Sequence, residues 1–262
     1  MNLGLKDKVA VVLAASKGLG RAAAEKLAAE GCKLAICSRD ANKISAAAKE
    51  IEKKYGTDVF HMAVDVGDRV QIERFIGETE KNLGGVDILV TNAGGPPVSD
   101  FEGSSDEEWQ KWYDITFMSV VRSVRAVMPL MKKQKWGRII NITSVSVKAP
   151  VENLIYSNAL RLAVVGLAKS LSRELGPHGI TVHNVAPGYH LTDGLERIIK
   201  KKVEQGQARE EVLKNFSKNV PLGRIANADE LAGLIAFLAS EQASYMSGTT
   251  IQVEGGMYGG VL

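Results

Sequence analysis

The sequence predicts a single α/β domain, residues 1–262, in which a doubly wound parallel sheet of about seven strands is covered by helices on both faces. Three observations predict it. Short apolar runs such as Lys8 to Leu13 (KVAVVL) lack an in–out alternation, as strands buried on both faces do. Helical stretches separate these runs, and strand–helix alternation closes through right-handed crossovers into a parallel sheet. A glycine turn, Gly18-Leu19-Gly20, follows the first run at once. A chain of this length fits one such domain, and no repeat, low-complexity tract or linker divides it.

The elements follow in order. After the first strand a helix runs to Glu30 and stops at Gly31. Lys33 to Ser38 (KLAICS) is the second strand, Asn42 to Tyr55 a helix, Val59 to Val64 a strand and Val70 to Leu83 a helix. Val86 to Thr91 is the fourth strand. Ser105 to Met131 reads as one long helix, with Asp106 to Glu108 at its positive end. Arg138 to Thr143, the helix Asn153 to Leu175 and the strand Ile180 to Val185 come next. Leu191 to Asn219 is helical but polar and weakly periodic, the pattern of a lid. A helix over Asp229 to Ser240 and a strand over Thr250 to Val253 complete the chain, with the expected strand order 3-2-1-4-5-6-7.

Composition narrows the function classes. Lysine and arginine are interspersed with acids and the net charge is only +3, which gives no nucleic-acid footprint. Cys32 and Cys37 flank a strand and are poorly placed for a bridge, so a reduced, cytoplasmic setting is expected. No apolar run reaches membrane length, and Met1 to Lys8 is no signal peptide. The expected partner is a small-molecule substrate, and no metal is expected.

Ligand chemistry gathers at the carboxyl edge of the sheet, where open α/β folds bind. Two glycines after the first strand let backbone N–H groups approach a pyrophosphate at a helix N-terminus. Asp65 follows the third strand, Asn92-Ala93-Gly94 the fourth and Pro187-Gly188 the sixth. At the end of the second strand, a carboxylate would bind an adenosine 2′-hydroxyl and select NAD. Ser38 and Arg39 stand there instead, a hydroxyl and a fork suited to a 2′-phosphate, with Asp40 one residue too late. This favours NADP(H) over NAD(H).

With these positions in view, the chain resembles the short-chain dehydrogenase/reductase family, and within it the 3-oxoacyl-acyl-carrier-protein-reductase-like branch. The matching stretches are the Gly18 and Gly20 turn, Asp65-Val66, Asn92-Ala93-Gly94, Gly137 to Ile142, Ser144, Ala186-Pro187-Gly188 with Thr192, Pro221 to Arg224 and Glu254 to Met257. One departure is early: Leu13-Ala14 stands where the family has Thr-Gly, which adds a methyl group beside the turn. The resemblance implies that Ala14, Ser16, Lys17, Gly18, Leu19 and Gly20 surround the pyrophosphate, with Lys17 adding charge near the 2′-phosphate. It implies that Asp65 and Val66 lie at the adenine, Asn92, Ala93 and Gly94 at the ribose, and Pro187, Gly188 and Thr192 at the carboxamide. It also implies a homotetramer, or a dimer, built on the long helices.

The catalytic stretch departs further. Family members use a Tyr acid/base, a Lys four residues on, a Ser that polarises the substrate oxygen and an Asn behind a relay water. Ser144 matches the Ser, and Thr116 takes the Asn position. Tyr156 is followed four residues on by Leu160, which carries no charge. Counting back from Gly166 to Leu171 places Ser157 and Arg161 in the Tyr and Lys positions. A helix cannot absorb a one-residue shift without turning its later side chains by about 100°. Ser157 with Arg161 is therefore the leading register, and Tyr156 stays open beside it. Tyr189 and His190 follow Pro187-Gly188 as substitute acids. Two functions follow: an NADP(H)-dependent oxidoreductase interconverting a carbonyl and an alcohol, or a cofactor-binding protein with little or no redox activity.

Overall fold

The computed structural model describes residues 2–261. The first half alternates β1 (Val9–Val12), α1 (Gly18–Ala29), β2 (Lys33–Ser38), α2 (Ala41–Tyr55), β3 (Val59–Ala63), α3 (Arg69–Leu83) and β4 (Ile88–Thr91). Then come α4 (Asp106–Tyr113), α5 (Ser119–Gln134), β5 (Gly137–Ile142), α6 (Ile155–Leu175) and β6 (Ile180–Pro187). The last third holds β7 (His190–Leu191), α7 (Asp193–Glu204), α8 (Arg209–Ser217), β8 (Ala226–Asn227), α9 (Ala228–Ala239) and β9 (Thr250–Val253). The main sheet is parallel in the order β3-β2-β1-β4-β5-β6-β9, as the sequence predicts.

Burial on both faces explains the apolar runs. Ala10 and Val12 pack with α1, α2 and α9 on one face, while Val11 and Leu13 pack with α3, α5 and α6 on the other. A residue on either face thus needs an apolar side chain, and alternation disappears. Where polar side chains do enter the sheet they pair. Thr91 Oγ1 donates to Asn141 Oδ1 (2.7 Å), Asn141 Nδ2 to Asn184 Oδ1 (3.0 Å) and Asn184 Nδ2 to Thr250 Oγ1 (3.1 Å). These four residues are register partners across β4, β5, β6 and β9, so the bonds form a rung across the carboxyl half of the sheet.

Three expectations change. The long helix is interrupted by a π-helical turn over Asp114–Met118, where Arg122 ties Asp114 (2.6 Å) to the Gly67 carbonyl (2.6 Å). The wider turn carries Thr116, and such turns cluster at functional sites. The helix expected from Asn153 begins at Ile155, because Asn153 has a left-handed backbone (φ 57°). The lid expected over 191–219 is two helices around a small core of Leu195, Ile199 and Val212, preceded by a two-residue strand that pairs with β8.

Candidate active site

A cleft of about 570 Å³ crosses the carboxyl ends of β2, β1, β4 and β5. Its floor is the turn after β1. Gly18 needs its left-handed backbone (φ 61°), and a Cβ on Gly20 would sit 2.6 Å from both the Ala14 carbonyl oxygen and Asn92 Nδ2. Gly20 is therefore a packing glycine, not a lining residue. Ala14 also has a left-handed backbone (φ 49°), which costs a non-glycine residue roughly 1–2 kcal/mol. Its carbonyl is held by Asn92 Nδ2 at 3.3 Å. Ala14→Gly should raise stability by about 1 kcal/mol in urea denaturation, and an unchanged midpoint would mean the turn carries no strain.

Ala14, Ser16, Lys17, Gly18, Leu19, Ser38, Arg39, Asp65, Val66, Asn92, Ala93, Gly94, Arg161 and Thr192 all line this cleft. Pro187 and Gly188 do not: a Cβ on Gly188 would lie 2.7 Å from the Glu254 side chain, so this pair packs β6 against the end of β9. Thr192 caps α7 through Leu195 N (3.4 Å), and its methyl lies against Gly18, which brings the lid to the glycine turn. Sequence reasoning did not single out Arg197, which also lines the cleft and donates to the Asp193 carbonyl at 3.2 Å.

The charge balance favours an anion. Asp40 caps α2 through Lys43 N (3.0 Å) and pairs with Lys43 Nζ (2.8 Å), bonds that hold its carboxyl below the usual range. Asp193 pairs with Lys17 at 3.9 Å, and Asp65 accepts from Gly67 N at 2.9 Å. Arg39 is exposed at the β2 end of the cleft and has no ion pair among the described residues.

At the β5 end stands Arg161, half-buried. Its Nη1 donates to the carbonyls of Ile142 (3.0 Å) and Thr143 (3.1 Å). Packed surroundings lower its pKa to about 10, which leaves it protonated at neutral pH. Behind it a cavity of about 10 Å³ is lined by Asn92, Thr116, Thr143 and Arg161. That is about the space of one water. Thr116 is 4 % exposed and its Oγ1 has no partner among the described residues.

The two registers separate cleanly. Tyr156 is fully buried, donates to Glu108 Oε2 at 2.9 Å and meets the Trp109 ring edge-on at 4.8 Å. Burial first, then the Glu108 carboxylate, raises its pKa. Its phenol is thus engaged by Glu108 of α4, and like Ser144 and Ser157 it lines neither cavity at the sheet edge. Ser157 is buried one turn before Arg161, and its Oγ lies 3.1 Å from Ser146 Oγ. Ser144 Oγ accepts from Ser146 N at 3.1 Å, so its own proton stays free to donate. Ser146 was not singled out from the sequence; its only signal was a place in a hydroxyl-rich loop. His190 is buried with Nδ1 on the Gly188 carbonyl (3.2 Å), burial lowers its pKa, and it lines none of these cavities. Tyr189 instead faces a second pocket of about 530 Å³ between the β5–α6 loop and the lid.

A family model described as enoyl-(acyl carrier protein) reductase matches residues 13–258. The 3-oxoacyl-[acyl-carrier-protein] reductase of Escherichia coli K12 is 36% identical over 256 residues, covering 98% of this chain and 99% of that one. The Aquifex aeolicus enzyme of the same name is 33% identical over 259 residues, covering 98% and 100%. Among solved structures, L-sorbose reductase from Gluconobacter frateurii, complexed with NADPH and L-sorbose, superposes with a TM-score of 0.97 at 30% identity over the whole of both chains. An NADPH-bound short-chain oxidoreductase from Pseudomonas aeruginosa PAO1, described as containing an atypical catalytic center, gives 0.90 at 31% identity, covering 97% and 98%. The seven-stranded sheet, the glycine turn and this full-length similarity together make the chain an oxidoreductase of the short-chain dehydrogenase/reductase family, in the branch of the 3-oxoacyl-acyl-carrier-protein reductases.

Proposed function

We propose that the protein is an NADP(H)-dependent reductase or dehydrogenase that interconverts a carbonyl and an alcohol. The observation that carries the cofactor assignment is Arg39, unpaired at the β2 end of the cleft while Asp40 is turned into the cap of α2. NADPH in the sorbose reductase and in the Pseudomonas oxidoreductase supports the same assignment.

The cleft fits this cofactor. Its volume, the glycine turn at its floor and the open space above Gly94, where a Cβ would meet nothing, suit an extended dinucleotide. Arg39, Ser38 and Lys17 would hold the 2′-phosphate, and Ser16, Gly18 and Leu19 the pyrophosphate. Asp65 and Val66 would flank the adenine, Asn92 to Gly94 the inner ribose, and Thr192 the carboxamide. When bound, the nicotinamide supplies or accepts the hydride. Ser144 donates its free proton to the substrate oxygen as charge develops there. Ser157, joined to Ser146, moves the proton. Arg161 cannot shuttle protons at neutral pH; its charge holds the ribose and steadies the developing oxyanion. Thr116 Oγ1 would hold a water in the one-water cavity beside Arg161, and that water would relay the proton. A hydroxyl is a weaker acid than a phenol, so the site trades proton-transfer power for a fixed positive charge.

The test is a carbonyl panel followed by NADPH consumption. Ser157→Ala should lower kcat by about a hundredfold with NADPH affinity kept, the scale of a lost acid/base group. Tyr156→Phe should change kcat less than about threefold, well below that scale. The reverse pattern would restore Tyr156 to the chemistry. A second reading, cofactor binding without redox turnover, is favoured because no Tyr–Lys pair faces the cleft among the described residues. It would stand if NADPH bound tightly and no carbonyl or alcohol were turned over. Assembly as a homotetramer belongs to the same proposal and is read by light scattering.

A further inference from the structure

The second pocket, of about 530 Å³, has two unlike walls. Val145, Ala149, Pro150 and Val151 from the β5–α6 loop make an apolar side, joined by Met257 of the C-terminal tail. Tyr258 and Gly259 of the tail line the pocket as well. The lid makes a mixed side, with Val212 and Phe216 beside the polar Lys202, Gln207, Asn215 and Asn219. Val145 adjoins Ser144 in the chain, which puts the apolar wall beside the proposed oxygen-polarising hydroxyl.

Among the described residues, Lys202 is the one lining residue with a full charge, and no Asp or Glu lines the pocket. It is half-buried, and its ammonium makes no ion pair or hydrogen bond with any described residue. Of the lid's other charges, Lys200 pairs with Glu204 at 4.0 Å and Arg209 with Glu196 at 2.6 Å, while Lys201, Glu210, Glu211, Lys214 and Lys218 are exposed to water. A half-buried ammonium without a partner gains most from an anion brought by a ligand. One lysine balances one charge, and the neighbouring amides of Gln207, Asn215 and Asn219 supply neutral donors. This matches a carboxylate better than a phosphate dianion, which generally draws several cations or a guanidinium fork.

We propose that the substrate is an oxo acid or the corresponding hydroxy acid, its apolar body against Val145 to Val151 and its carboxylate on Lys202. This rests on the oxidoreductase reading for the chemistry, but the binding preference stands by itself. Levulinate, acetoacetate and benzoylformate are compared with their methyl esters, which keep the carbonyl and remove the charge. In wild-type protein with NADPH, kcat/KM should favour the acids by about tenfold or more, the worth of a hydrogen bond to a charged group. Lys202→Gln should erase that ratio and Lys202→Arg should keep it. Lys201→Gln, which alters charge one residue away and outside the pocket, should also keep it.

Calorimetric titration of the same acids and esters, with and without NADPH, reads binding where turnover is absent. A preference for acids that depends on Lys202, without turnover, would sink the oxidoreductase reading and leave this one standing. Equal handling of acids and esters, a preference that survives Lys202→Gln, or binding of neither would overturn it.

Discussion

Arg161→Met is expected to weaken NADPH binding by about tenfold to a hundredfold while leaving the stability of the ligand-free protein within about 2 kcal/mol of wild type. Two opposing effects set the stability result. The guanidinium donates to the carbonyls of Ile142 and Thr143, and losing charge-assisted bonds costs about 1.5–3 kcal/mol each. Against that, Arg161 has no carboxylate partner, and its lowered pKa reports the cost of packing the charge there. Replacing such a charge with the shorter, uncharged methionine offsets part of that loss. Water in the cleft can also reach the two carbonyls once the side chain is gone. The binding result has no such offset, since the charge at the β5 end would be lost outright. Thermal unfolding and a fluorescence titration on the same sample separate the two. A fall in melting temperature large enough to explain the lost binding would make Arg161 a structural residue.

The second large effect is on cofactor choice. Arg39→Ala should weaken NADPH binding by about tenfold to a hundredfold, the worth of a guanidinium–phosphate contact, and leave NADH binding nearly unchanged. The discrimination follows from what Arg39 lacks. It has no acid to release on binding, so its charge is available to the 2′-phosphate, whereas Asp40 is held by Lys43 and by the first turn of α2. The effect should shrink with added salt, because the side chain is exposed. Equal losses for NADPH and NADH would show that Arg39 orders the loop and does not read the phosphate.

Much of this cleft was legible in the sequence. The parallel sheet followed from alternation and its strand order from the doubly wound fold class, and the glycine turn, Arg39, Asp65 and Asn92 fell on the cleft because strand ends in a parallel sheet share one edge. The fixed angular step of α6 was also legible: it separates Tyr156 from Ser157, and the two side chains meet different neighbours, Glu108 and Ser146. Three things were not legible. The π-helical turn at Thr116 depends on Arg122 reaching across to Gly67, a contact distant in sequence. Ser146 matters through a hydroxyl contact with Ser157, eleven positions later. The pairing of the lid strand with Ala226 and Asn227 joins segments too short to carry a periodicity.

The side-chain rung across β4, β5, β6 and β9 has a consequence for assembly of the sheet. Asn141 lies between Ile140 and Ile142, whose side chains point to the opposite face and pack with the α1, α2 and α9 layer. A strand that slipped by one position would present isoleucine where an amide is wanted and bury an amide where only hydrocarbon waits. Parallel strands laid down by long crossovers have no hairpin to align them, and an apolar run tolerates misalignment. The four-residue rung supplies a vernier: only one setting of these strands engages all three bonds. Misaligned intermediates are thereby discriminated against at the edge where the ligand-binding loops emerge, so the same contacts that set the sheet also fix the relative heights of Asn92, Ser144 and Gly188.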